Sequence, residues 1–211
     1  MPRSFSALIA DLSSALARPL LAAAAHILMV PTPRRAWPAG GRARQAAGLL
    51  FLFPRAGRAH VVLTVRAETL GRHSGQVSLP GGVIEPGEAF EQAALREAHE
   101  EISLPGADIQ ILGALSPIDI PVSGFRLHPV VGASDRVPAL VAADGEVARI
   151  LEVPVDALMA RGSVIMTERE REGSRITVPA FRVGDDEIWG ATAMVLAEFL
   201  VVLGWTGPSA D

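Results

Sequence analysis

The sequence predicts an α/β fold in which a mixed β-sheet is covered by helices, and three observations predict it. Short runs rich in β-branched and aromatic residues recur along the chain, from AGLLFLF (47–53) to RITVPAFRV (175–183). One stretch, AFEQAALREAHEEI (89–102), is built from the residues that lose least on entering a helix. The last, GATAMVLAEFLVVLGW (190–205), is about four turns of apolar helix interrupted only by Glu198.

Composition bounds what such a fold can be. The 211 residues suffice for one well-packed core with an extension. Nearly half are apolar and a fifth charged, which suits a compact chain with many turns. The formal net charge of -4 argues against nucleic acid as a partner, so any anion site must be local. All nineteen basic residues are Arg, which goes with the richness in Ala and Gly and reads as genomic bias rather than as a phosphate site. The absence of Cys excludes disulfides, thiolate nucleophiles and Cys-ligated zinc, so a metal must bind through oxygen or His. The apolar run PLLAAAAHILMV is well below the roughly 20 residues that span a bilayer, and Asp11 and Arg18 ahead of it do not suit a signal peptide. A cytoplasmic protein without a membrane partner is expected.

In chain order, Phe5, Leu8, Ile9, Leu12, Leu16, Leu20 and Leu21 repeat at spacings near three and four, an amphipathic helix over 5–26 that lies on its own domain or serves a dimer. PTPRRAWPAGGRARQ (31–45) is a connector. AGLLFLF and HVVLTVR (60–66) flank PRAGRA (54–59) as a hairpin, and QVSLP (76–80) is a third strand before the turn GGVIEPGE (81–88). Further strands are IQILGAL (109–115), FRLHPVVGA (125–133), EVARILEVP (146–154), SVIMTE (163–168) and RITVPAFRV, with VDALMA (155–160) a helical turn.

The stretch 89–102 carries the chemistry. At about 100° per residue, Glu97, Glu100 and Glu101 share an arc of about 100°. Carboxylates so crowded repel one another unless a cation compensates, and hard oxygen donors suit Mg2+ or Mn2+. An ordinary solvated acidic face has the same composition. The loop PGGVIEPGE ahead of the helix, with three glycines and two prolines, favours a site, because its backbone can approach phosphate or a metal. Ala94, Leu95, Ala98 and Ile102 occupy the neighbouring arc, so one helix serves core and site. Arg96 can pair with Glu100 one turn on, and Glu88, opening the helix, is favoured by the dipole; both read as structural support.

From Gly82 to Leu104 the chain resembles the Nudix box, G-x5-E-x7-R-E-U-x-E-E-x-G-U, with Gly82, Glu88, Arg96, Glu97, Glu100 and Glu101 matched. Ala98 is smaller than the usual aliphatic, and Ser103 stands where the family has Gly, where Ser would adopt a left-handed backbone with more strain. The resemblance implies the Nudix fold, an α/β/α sandwich with a mixed sheet and a loop-helix-loop box, over 45–206. Residues 1–44 are then a helix and connector, and 207–211 a tail. It implies Mg2+-dependent hydrolysis of a diphosphate, with Mn2+ as a substitute, metal ligands Gly81, Glu97, Glu100 and Glu101, and Gly82 in the loop. The base is Glu100, or Glu146 from outside the box.

Ahead of the box, LTVRAETLGRHSGQVSLPGG resembles the pattern L-L-T-x-R-[SA]-x3-R-x3-G-x-V-x-[FL]-P-G-G of Nudix enzymes that hydrolyse coenzyme A and its thioesters. Leu63, Thr64, Arg66, Ala67, Gly75, Val77, Leu79, Pro80, Gly81 and Gly82 match; position 71 is Gly instead of Arg, with Arg72 one place on. EIWGATAMVLAEFL is similar to that group's C-terminal helix. Its substrates carry a 3'-phosphate, which Arg66, Arg72 and His73 would receive. ADP-ribose, NADH, a dinucleotide or a nucleoside diphosphate sugar is the alternative substrate, a non-catalytic binding module is a third class, and monomer and homodimer are both open.

Overall fold

The structure, a computed structural model, describes residues 4–20, 22–31, 43–67, 75–171 and 174–208. Its centre is the strand β1, Arg44–Arg55, whose run of apolar residues is buried on both faces. A strand apolar on every residue has no solvent face, so both sides need a cover. Leu50 and Leu52 pack into one core and Leu49, Phe51 and Phe53 into another.

Two positive φ angles, 50° at Ala56 and 75° at Gly57, close the two-residue turn from β1 to β2, Arg58–Arg66. Such a primed turn matches the twist of the strands it joins. β3, Val77–Ser78, pairs with β2, and β4, Gly81–Val83, returns to pair with β1 at Ala46–Gly48. Helix α3 is Phe90–Ile102. β5 (Gln110–Ala114), β6 (Ile118–Ile120) and β7 (Phe125–Ala133) follow, and β7 runs parallel to β1. β8, Val147–Pro154, joins the outer side of β2. After α4 (Val155–Met159) the strands β9 (Val164–Arg171), β10 (Ser174–Val183) and β11 (Asp186–Trp189) form a separate antiparallel sheet. The large sheet is therefore mixed, as expected.

On one face Ala93, Ala94, Ala98 and Ile102 of α3 cover Ala47, Leu49 and Val62. On the other lies α5, Gly190–Val202, buried from Thr192 to Leu200. A helix apolar on every side is stable only when enclosed. The N-terminal residues help enclose it: Leu12 of α1 (Phe5–Leu16) and Met29, just beyond α2 (Ala22–His26), are fully buried in the same core. The result is an α/β/α sandwich.

Several expectations are corrected. The helix expected over 5–26 ends at Leu16 and resumes at Ala22, because Pro19 lacks the amide that would continue it; Leu21 lies outside the described residues. The turn expected at 81–88 begins as the strand β4, since the exposed edge of β1 offers it partners. β6 and β11, of three and four residues, are too short to stand out by pattern.

Candidate active site

The sheet brings α3 over β4. A Cβ on Gly82 would lie 2.5 Å from the Glu97 carboxylate, and one on Gly81 would lie 2.3 Å from the Ala47 carbonyl oxygen. Neither position has room for a side chain, so the backbone of the loop and the carboxylates of the helix are in contact. Gly81 N–H donates to Glu101 Oε2 at 3.3 Å.

Arg96 is the fastener. Its Nε and Nη2 donate to both oxygens of Glu88 at 2.9 and 3.0 Å, and Nη2 also reaches the Val83 carbonyl at 3.1 Å. Nη1 donates to Glu97 at 2.8 Å and to Glu100 at 3.2 Å. A planar fork fits a carboxylate bidentately, which fixes the angle as well as the distance. The Glu100 contact foreseen from helix spacing is thus present, but the two-pronged grip on Glu88 is the closer one. Glu88 does not open the helix: α3 starts at Phe90 after an N-cap at Ala89, and Glu88 instead accepts from the Glu85 amide at 3.0 Å. Arg96, then that amide, holds the Glu88 carboxyl below the usual carboxylate range.

Glu101 has another environment. It is 6% exposed, and burial pushes its carboxyl up to about 8; the Gly81 amide opposes this, Glu146 and Glu97 add to it, and the Arg66 charge eases it. Burial likewise raises Glu97, with Arg96 opposing and Glu100 and Glu146 adding. Glu100 is exposed at the rim. The helix then exits through Ser103 in the left-handed conformation, φ 55° and ψ 28°, with Leu104 N–H bonded to the Ala98 carbonyl at 3.3 Å. The backbone that the family meets with Gly is met here by Ser.

Glu146 arrives by a route that the sequence does not reveal. The loop between β7 and β8 places Val141 N–H on the Ile102 carbonyl at 3.1 Å and Ala143 N–H on the Glu101 carbonyl at 2.8 Å. These bonds satisfy the end of α3. Three residues on, Glu146 faces Glu97 and Glu101 as a charge. Its carbonyl accepts from Ala67 N–H at 2.9 Å, and Arg66 pairs with Val147 beyond a bulge in β2. Arg66 and Glu146 therefore meet at one end of the β2–β8 ladder. Gly81, Gly82, Arg66, Glu88, Arg96, Glu97, Glu100, Glu101 and Glu146 are brought to one region; Arg72 and His73, with Gly71, lie outside the described residues.

The donor set fits a hard cation. It is oxygen only, its most buried member is pushed towards neutrality, and three carboxyl groups bear on one another. The carboxylates are not drawn into a ready cage: among the described residues no three metal-ligating side chains converge, and Arg96 donates to both Glu97 and Glu100.

Residues 42–171 match the family model of the NUDIX domain. The uncharacterized Nudix hydrolase NudL of Citrobacter koseri is 35% identical over 162 residues, covering 76% of this chain and 83% of that protein. NudL of Photorhabdus laumondii is 35% identical over 137 residues, or 64% and 73% of the two chains. Among solved structures, the Nudix hydrolase RenU from M. smegmatis is similar in fold, with a TM-score of 0.53 at 22% identity, over 87% of this chain and 97% of that one.

Proposed function

The chain belongs to the Nudix family, and from that premise we propose that it hydrolyses the diphosphate bond of coenzyme A or an acyl-coenzyme A, giving 3',5'-ADP and the corresponding 4'-phosphopantetheine. The observation that carries the proposal is the position of Arg66, from the coenzyme A pattern, paired with Val147 at the end of the β2–β8 ladder, where the next amide, Ala67 N–H, donates to the Glu146 carbonyl. One basic group beside the catalytic helix suits a substrate with an additional phosphate.

Nudix hydrolases as a class use divalent metal ions, and Mg2+, or Mn2+ in its place, is the ion proposed here. Glu97, Glu100, Glu101 and the Gly81 carbonyl would hold it. When bound, the ion supplies neutralisation of the diphosphate and a water of lowered pKa. The chain's own residues do the positioning. Gly82, lacking a side chain, lets the loop lie against Glu97. Arg96 ties Glu88, Val83, Glu97 and Glu100 together, so the helix and the preceding loop keep one arrangement. Glu100, exposed at the rim, is the first candidate to take the proton from water, and Glu146 is the candidate from the facing loop. Arg66, with Arg72 and His73 beside it in sequence, is assigned to the 3'-phosphate.

Product analysis on coenzyme A, acetyl-coenzyme A, ADP-ribose, NADH and diadenosine polyphosphates tests the proposal, with Glu101→Gln as the inactive control. Arg66→Ala should lower kcat/KM on coenzyme A at least about tenfold more than on ADP-ribose. Equal losses would refute the coenzyme A reading and leave a diphosphatase for another nucleoside diphosphate derivative.

A further inference from the structure

We propose that Thr192 is a positioning residue for the catalytic loop, and that the N-terminal extension acts on the site through it by way of a buried cluster of His26, Glu198 and Ser116. β3 pairs with β2 alone, since the chain leaves it for β4 and β1, while β8 takes the other edge of β2. The Gln76 carbonyl points inward and accepts from Arg66 N–H at 3.0 Å. Carbonyls alternate along a strand, so that of Val77 points off the sheet. Val77 is buried, and its carbonyl would lack water there. The Thr192 hydroxyl, also buried, donates to it at 3.0 Å.

What β3 leads into gives this bond its reach. Four residues after Val77 comes Gly81, whose amide holds Glu101, and then Gly82 against Glu97. Between them the Pro80 carbonyl accepts from Leu49 N–H at 2.8 Å. β3 has only two residues paired with β2, and the hydroxyl adds a further point of attachment on its opposite edge.

The other end of α5 is fastened equally firmly. Glu198, 1% exposed, accepts from the Ser116 hydroxyl at 2.6 Å, from the Ser116 amide at 3.2 and 3.3 Å to its two oxygens, and meets His26 Nε2 at 2.9 Å. Six residues of helix, about 9 Å, separate it from Thr192. A rigid, enclosed helix transmits position over that length. Residues 26, 192 and 198 all lie outside the matched residues 42–171, so the fastening belongs to the extensions of this chain.

The kinetic arm of the test rests on the diphosphatase reading; the exchange arm does not. Thr192→Val should speed amide exchange at Gly81 and Gly82 about tenfold, and lower kcat about tenfold with KM within about twofold, well below the melting temperature. Thr192→Ser should restore both. His26→Ala should shift both readouts in the same direction by less, and the double variant should be no worse than Thr192→Val alone. If Thr192→Val melts earlier yet leaves Gly81 exchange unchanged, or if the two substitutions multiply, the proposal is overturned. Should the protein cleave no diphosphate, the function proposed above fails while the exchange result still decides this one.

Discussion

Glu101→Gln isolates the group whose ionisation is most at odds with its surroundings. In the metal-free protein its carboxyl is displaced from 4.5 to about 8, chiefly by burial, while in the unfolded chain it titrates near 4.3. The folded state thus favours the protonated form. Its contribution is complete below the unfolded value and is lost as pH rises from about 4.3 through about 8, so that at pH 9 an ionised Glu101 weakens the fold. At about 1.36 kcal/mol per tenfold change in proton affinity, the full displacement corresponds to something on the order of 3–5 kcal/mol. Gln keeps the acceptor for Gly81 N–H and cannot ionise. In EDTA the variant should therefore match wild type at pH 4 and melt higher at pH 9, by about 5–15 °C for a chain of this size. Excess Mn2+ should raise the wild-type midpoint at pH 8 and leave the variant's in place. Circular dichroism melts from pH 4 to 9, with and without metal, measure all of this. Parallel pH profiles for the two proteins, or a variant less stable throughout, would refute the reasoning.

Three further outcomes follow from the geometry. Gly82→Ala puts a methyl 2.5 Å from the Glu97 carboxylate, so kcat should fall about 100-fold while circular dichroism shows the fold retained. Ser103→Gly relieves the left-handed backbone at the exit of α3 and should add about 0.5–1 kcal/mol in a urea titration. Glu198 is held below the usual carboxylate range by His26 and then Ser116 against its burial. Its contribution is present above the unfolded value near 4.3 and lost as pH falls through the lower folded one, so Glu198→Gln should cost about 3 kcal/mol at pH 7 and flatten the acid limb of the stability curve.

The elements that the sequence foretold are those whose cause is local. The hairpin of β1 and β2 follows from two apolar runs and a Gly-containing turn, and α3 from propensity and an apolar arc. The box carboxylates and Arg66 were singled out because a pattern of side chains names them. What escaped depends on pairing between distant segments. β4 is Gly-Gly-Val, with little strand preference, and forms because β1 presents an open edge. Glu88 was placed on the helix because spacing alone does not show that Arg96 would reach back to it across the turn. The bond from Thr192 to Val77 spans 115 residues, and that from His26 to Glu198 spans 172; no periodicity joins them. The position of Glu146 rests on backbone amides, which leave no trace in residue type.

The anchoring of Val141 and Ala143 on the last carbonyls of α3 divides the β7–β8 loop into two halves of different freedom. From residue 141 onward the loop is tied to the helix at Val141 and Ala143 and to β2 at Glu146, and a residue inserted between these ties would move Glu146 relative to the carboxylates. Upstream of Val141 the loop is held by Arg136 N–H on Ser134 Oγ and by the exposed Arg136–Asp108 ion pair. Leu140 packs on the core beneath α3, so the free length of that half lies between Arg136 and Leu140. A foreign segment spliced in there would leave the bonds of Val141 and Ala143 to α3, and with them the placing of Glu146, as they are.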